Sequence, residues 1–208
     1  MLKRVVLAAL VASLVAPLAA QAPAGWKMRL DRSKSAQDPD DKSGVTFMAM
    51  GKAFHVAGGP AGVYWNPANT ASGNYTLKGT FTLLKPSSHT NYYGLVFGGK
   101  GLEGADEQYT YFTVAQNGTF LIKQRKGEAT SDIKGYTPSD VVKKPDASGK
   151  SVNALEVRVA GDTVSYVVNG TVVHTTPKSA LMATDGTVGF RVNHVTEVQV
   201  DGFEVQKS

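Results

Sequence analysis

Residues 154–175 read ALEVRVAGDTVSYVVNGTVVHT, a run of alternating side chains cut twice by turn residues. Leu155, Val157 and Val159 share one parity, and Glu156 and Arg158 take the other. That period of two is the signature of a strand with one oily and one wet face. Asn169-Gly170 is a strong tight-hairpin signal, and Gly161-Asp162 joins the two preceding runs in the same way. A three-strand antiparallel meander over 154–175 follows.

The same grammar extends outward from about Thr46. Tyr75, Leu77, Phe81 and Leu83 alternate with Thr76, Lys78, Thr80 and Thr82; Leu95 and Phe97 share the parity of Tyr93; Phe112 and Val114 alternate with Tyr111 and Thr113. Asn117-Gly118 joins a strand over 109–115 to one over 119–125. In the last strand Val198 and Val200 have one parity, Phe203 and Val205 the other, and a bulge at Asp201-Gly202 brings all four to one face. Turn signals every eight to twelve residues predict an all-β, two-sheet antiparallel sandwich of jelly-roll type. Helical spacing is confined to one turn near Ser179–Ala183. Thr130–Lys150, with Pro138, Pro145, Gly135 and Gly149, reads as a long irregular connection, and Asp31–Ser43 as a polar loop or arm.

The first 22 residues read as a secretory leader. Lys3 and Arg4 precede an uncharged Val/Leu/Ala run over 5–15, and small residues at Ala20, Ala22 and Ala24 offer cleavage positions. The apolar run is too short to span a bilayer core of about 30 Å. The expected organisation is a leader over 1–22, an irregular 23–45 with room for a first strand, and a sandwich over 46–208. A periplasmic or secreted location follows, with no span in the mature chain. The chain has no cysteine, which removes thiol catalysis, Cys-ligated metal and disulfides. Without Lys3 and Arg4, 20 basic residues face 17 acidic ones, a net charge of +3. Scattered over a domain this size, that charge does not suggest a nucleic-acid partner.

Several stretches resemble the concanavalin A-like lectin/glucanase superfamily in its exported bacterial form. They are Asn91–Gly99 (NYYGLVFGG), Tyr109–Phe112 (YTYF), Asn117–Lys123 (NGTFLIK), Asn153–Val157 (NALEV), Val168–Gly170 (VNG) and Gly186–Val192 (GTVGFRV). The likeness covers about Phe47 to Val205 and implies a jelly roll hosting lectins, glycosidases and receptor modules alike. Family-sixteen-type glucanases carry E-x-D-x-E on one strand, and no such pattern occurs here. The sequence is also similar to 3-keto-disaccharide hydrolase-type domains. Their N-S-G motif is replaced by Asn91-Tyr92-Tyr93-Gly94, so no catalytic residue is carried over.

Side-chain parity nominates a binding wall. If Phe112, Phe120, Ile122 and Phe190 are core, then Tyr109, Tyr111, Lys123, Arg125, Arg191 and Asn193 leave the core. Trp65, in GVYWNP, is the stacking candidate, and His194 follows Asn193 at a strand end, whereas Trp26 is expected to seal the sandwich. Rings stack on a pyranose while Arg, Asn and Lys bond its hydroxyls, so a glycan or other envelope polymer is the expected partner. His55, His89, His174 and His194 lack metal-ligand spacing, and Asp38, Asp40 and Asp41 lack a calcium-loop pattern. Neither a metal nor a cofactor is expected. The alternatives are a sugar hydrolase of the same fold and a protein-interaction module.

Overall fold

The computed structural model describes residues 22–31 and 44–207. The leader over 1–21, the arm over 32–43 and the Asp38/Asp40/Asp41 group lie outside the described residues. The described residues form fourteen strands: β1 (Lys27–Asp31), β2 (Thr46–Met50), β3 (Ala53–Ala57), β4 (Ala61–Ala71), β5 (Tyr75–Lys85), β6 (Tyr92–Lys100), β7 (Gln108–Ala115), β8 (Thr119–Lys126), β9 (Ala129–Pro138), β10 (Ser151–Ala160), β11 (Thr163–Val168), β12 (Thr171–Pro177), β13 (Gly186–Val192) and β14 (Glu197–Lys207). A 3-10 turn spans Lys178–Ala180, where the sequence allowed one helical turn.

The strands make two seven-stranded sheets, ordered β1-β4-β13-β6-β7-β8-β9 and β12-β11-β10-β5-β14-β3-β2. Every pairing is antiparallel. This is the expected two-sheet sandwich. Its core lies between the sheets, where Leu77, Phe81 and Leu83 of β5 meet Tyr93, Leu95 and Phe97 of β6 among side chains fully removed from water. Each such side chain contributes about 1.5–3 kcal/mol by leaving water. Trp26 closes one end, its ring 4.3 Å from Phe54 and 5.4 Å from Phe190.

The meander forms as β10-β11-β12. Asn169 (φ 49°) and Gly170 (φ 84°) both adopt the left-handed conformation that a two-residue hairpin of this hand requires. The register of β14 against β5 slips between Asp201 and Glu204, and Val198, Val200, Phe203 and Val205 all pack on the core. β1 edges the first sheet through β4, so Asp31 is its last strand residue rather than the first of a loop.

One expectation fails. Residues 129–138 are not a connection but β9, antiparallel to β8 and the edge of the first sheet. Its sequence, ATSDIKGYTP, has no apolar alternation and is mostly exposed or half-exposed, because backbone pairing rather than a buried face recruits it. The irregular connection is confined to 139–150. Asn169 Nδ2 donates to Val141 O (2.7 Å), and Lys143 N donates to Asn153 Oδ1 (2.8 Å), which ties this connection to the meander.

Candidate functional site

The outer face of the first sheet carries a second set of packed side chains: Val63, Trp65, Tyr92, Val96, Leu102, Tyr109, Tyr111, Ala115 and Leu121. Eight of these stand on strands and Leu102 on the β6–β7 loop, which reaches across to Lys27 and Arg29 of β1, so the face is covered by that loop and by its own curl. The ion pairs show the curl. Asp31 on β1 and Arg125 on β8 are five strand positions apart, about 24 Å in a flat sheet, yet Arg125 Nη1 lies 3.2 Å from Asp31 Oδ2. The outer face is therefore a trough with β1 on one wall and β7–β8 on the other.

A charged network fills the middle of the trough. Arg191 Nη1 donates to Asp31 Oδ2 at 2.6 Å and to the Tyr109 hydroxyl at 3.0 Å, and its guanidinium sits 5.2 Å from the centre of the Tyr111 ring. Arg125 Nε donates to Glu107 Oε1 at 3.0 Å. Arg29 Nη1 lies 2.7 Å from Glu107 Oε2, a charge contact outside hydrogen-bond geometry, and donates to the Gly104 carbonyl. Three guanidiniums thus share two carboxylates. Burial alone would lower the Arg191 pKa, but Tyr109, Asp31 and Tyr111 around it outweigh that and raise it. Burial pushes the Tyr109 hydroxyl up to about 12, partly opposed by Arg191.

The eight residues singled out from the sequence are all associated with this wall, in three groups. Tyr109, Tyr111, Arg125 and Arg191 make the central network. Tyr109 and Tyr111 are 2% and 7% exposed and Arg191 6%, so they turn no open ring or fork to solvent. Trp65, 3% exposed, packs toward the other end of the trough, beside a hollow of about 400 Å³ that also takes in Pro67, Glu103 and Asp106. Asn193 and His194 stand at the end where β6 begins and β13 finishes, and Lys123 on β8 lies to one side of it, over the Tyr136 ring. By contrast, Glu156 and Arg158, which leave the core on β10, belong to the opposite sheet.

That last end is open. A hollow of about 580 Å³ is lined by the amides Asn91, Asn117 and Asn193, the imidazoles His89 and His194, the rings of Tyr92 and Tyr136, and Thr90 and Thr119. None of these described residues is acidic. Tyr136 on β9 is 66% exposed, its ring centre 5.5 Å from that of Tyr92 and under the Lys123 ammonium at 5.4 Å. Lys123 also pairs with Asp132 at 3.1 Å. Val195, at φ 52°, holds a β-branched residue in the left-handed region next to His194, a strain found most often where a site is shaped. Sequence reading missed the Tyr92–Tyr136 pair. Tyr92 alternates with core Tyr93 and so was legible in principle, while Tyr136 sat in the stretch taken for loop. It also missed Asp31, Arg29 and Glu107, since nothing local marks an acid that will meet an arginine 94 or 160 residues away.

No family model matches the chain, and no curated protein matches it. Solved structures do. The carbohydrate-binding module CBM66 from Bacillus subtilis superposes with a TM-score of 0.61 at 14% identity, covering 88% of this chain and 96% of that one. A protein of unknown function with a galectin-like fold, also from Bacillus subtilis, gives 0.61 at 14% identity over 88% and 89%. Alginate lyase A1-II' gives 0.51 at 15% identity over 88% and 95%. At such identities the likeness shows the fold alone, a two-sheet jelly-roll β-sandwich.

Proposed function

We propose that this protein is an exported, non-catalytic carbohydrate-binding β-sandwich, and that its glycan occupies the open hollow between Tyr136, Tyr92, Asn117 and Asn193. The observation that carries this reading is the make-up of the hollow. Two tyrosine rings at its side and several amides within it supply ring stacking and hydroxyl bonding in one cavity of ligand size. CBM66, of like fold, is named as a carbohydrate-binding module, and the alginate lyase as an enzyme acting on a polysaccharide. The export element of the proposal rests on the basic-then-apolar leader. The buried Tyr109, Tyr111, Arg125 and Arg191 network then acts as the rigid floor beside the site, and Trp65 as packing at the far end.

A hydrolase would need a carboxyl pair open to the substrate. In the central network Asp31 and Glu107 are both engaged by arginines at 2.6–3.2 Å, and none of the described residues lining the hollow proposed for the glycan is acidic, which favours binding over cleavage there. The test is a glycan array and a panel of soluble polysaccharides run with wild type, Tyr136→Ala and Asn193→Ala. The exposed ring contributes on the order of 1 kcal/mol of stacking, so its loss should weaken binding about fivefold. A panel with no ligand at all, or a ligand indifferent to both substitutions, would overturn the proposal.

A further inference from the structure

The hydrogen bonds behind the hollow fix which way its amides face. Asn193 Oδ1 accepts from Arg191 Nε at 2.8 Å, so its oxygen is spent inward and its Nδ2 protons remain for a ligand. Asn117 Oδ1 accepts from both Thr119 N (3.2 Å) and Thr119 Oγ1 (2.7 Å), so it too is left with its Nδ2. Because the Thr119 hydroxyl proton goes to Asn117, the 2.6 Å contact between Thr119 Oγ1 and the Tyr92 hydroxyl must use the tyrosine proton. Asn91 spends its Nδ2 on Ser87 Oγ and the His194 carbonyl. The amide N–H groups of Asn117 and Asn193 are therefore turned to the cavity, beside the hydroxyls of Thr90 and Tyr136. Two lysines stand nearby: Lys123, paired with Asp132 at 3.1 Å, lies over Tyr136, and the stem of Lys144 runs across Gly118, next to Asn117.

Two fixed amide donors, two lysines and no lining acid suit a ligand group that only accepts and carries negative charge. Resting on the glycan reading above, we infer that the hollow selects an acidic polysaccharide, whose carboxylate or sulfate is held by the Nδ2 groups of Asn117 and Asn193 with Lys123 and Lys144 at the rim.

The test uses Asn117→Asp/Asn193→Asp, which keeps both inward acceptors and replaces only the outward N–H groups by carboxylate oxygens. Binding is measured by calorimetry and affinity electrophoresis against a polyuronate, the same polyuronate with its carboxyls reduced, a sulfated dextran and unsulfated dextran. Wild type should bind one of the two acidic polymers at least tenfold more tightly than its neutral counterpart, and which one identifies the group as carboxylate or sulfate. The double variant should lose that preference, while Lys52→Ala in the β2–β3 turn of the opposite sheet should retain it. Equal binding of acidic and neutral polymers would overturn the inference and leave the glycan reading standing. So would a preference lost equally in Lys52→Ala, which would mark diffuse attraction of polyanions to a basic protein. No binding of any polymer would remove both.

Discussion

Asp31 is the carboxylate of β1 that reaches the opposite wall of the trough, beside the Arg29–Glu107 contact, and its removal should be costly and non-additive. In Asp31→Asn the guanidiniums of Arg191 and Arg125 lose the charge they converge on at 2.6 and 3.2 Å, with side chains only 7% and 16% exposed. Breaking one partner out of a buried pair costs about 3–5 kcal/mol. Arg125 keeps Glu107, and the new amide still offers an oxygen, so about 3 kcal/mol is expected. Arg191→Met should cost about as much, since it strands Asp31 with one arginine while keeping the volume filled. The double variant has no half-pair left to strand and should lose about 4 kcal/mol, a coupling of about 2 kcal/mol. Urea unfolding reads this directly, because Trp26 in the sandwich end and Trp65 in the trough report both sides of the first sheet. Costs that add to within about 0.5 kcal/mol would show that the network does not hold β1 in place.

The remaining expectations concern other features. Burial pushes Tyr64, Tyr75, Tyr109 and Tyr166 upward, Tyr109 from 10 to about 12. The unfolded chain therefore loses these protons first as pH rises above 10, so stability is full below 10 and falls from there through about 12. Tyr109 alone corresponds to about 3 kcal/mol, and tyrosinate absorbance should rise together with unfolding rather than before it. Gly98→Ala should cost about 2–4 kcal/mol in urea melts, because φ is 63° there and a Cβ would land on the Ala183 carbonyl. Asn169→Gly keeps the turn conformation but removes bonds to Val141 O, Asn153 Oδ1 and Ala154 N, and should cost about 2–3 kcal/mol by the same assay. Val195→Gly should relieve left-handed strain and raise the melting temperature, with about 1 kcal/mol gained.

The sandwich was readable because its turns are chemically marked. Asn169-Gly170, Gly161-Asp162 and Asn117-Gly118 cut the chain where it does turn, and parity then assigns each strand a core face. The same parity correctly sent Tyr109, Tyr111, Arg191 and Asn193 to one outer wall. It could not say that the wall curls. That depends on pairings such as Asp31 with Arg125, in which neither residue carries a local mark of the other. Curling inverted the roles inferred from residue type: the rings nominated for contact became packing, and the exposed ring, Tyr136, stands on a polar strand joined to β8 chiefly by backbone pairing. β9 was invisible for that reason, since a strand recruited by its neighbour's unpaired edge needs no hydrophobic rhythm.

The interior places of both sheets go to the end of the chain. β13 separates β4 from β6, and β14 separates β3 from β5. Until residues 186–207 arrive, four partly made strands show open hydrogen-bonding edges, and neither layer can zip shut. Assembly must then wait for distant segments to meet, a slow and entropically costly closure. Truncations that omit this tail should yield insoluble material rather than a smaller folded unit.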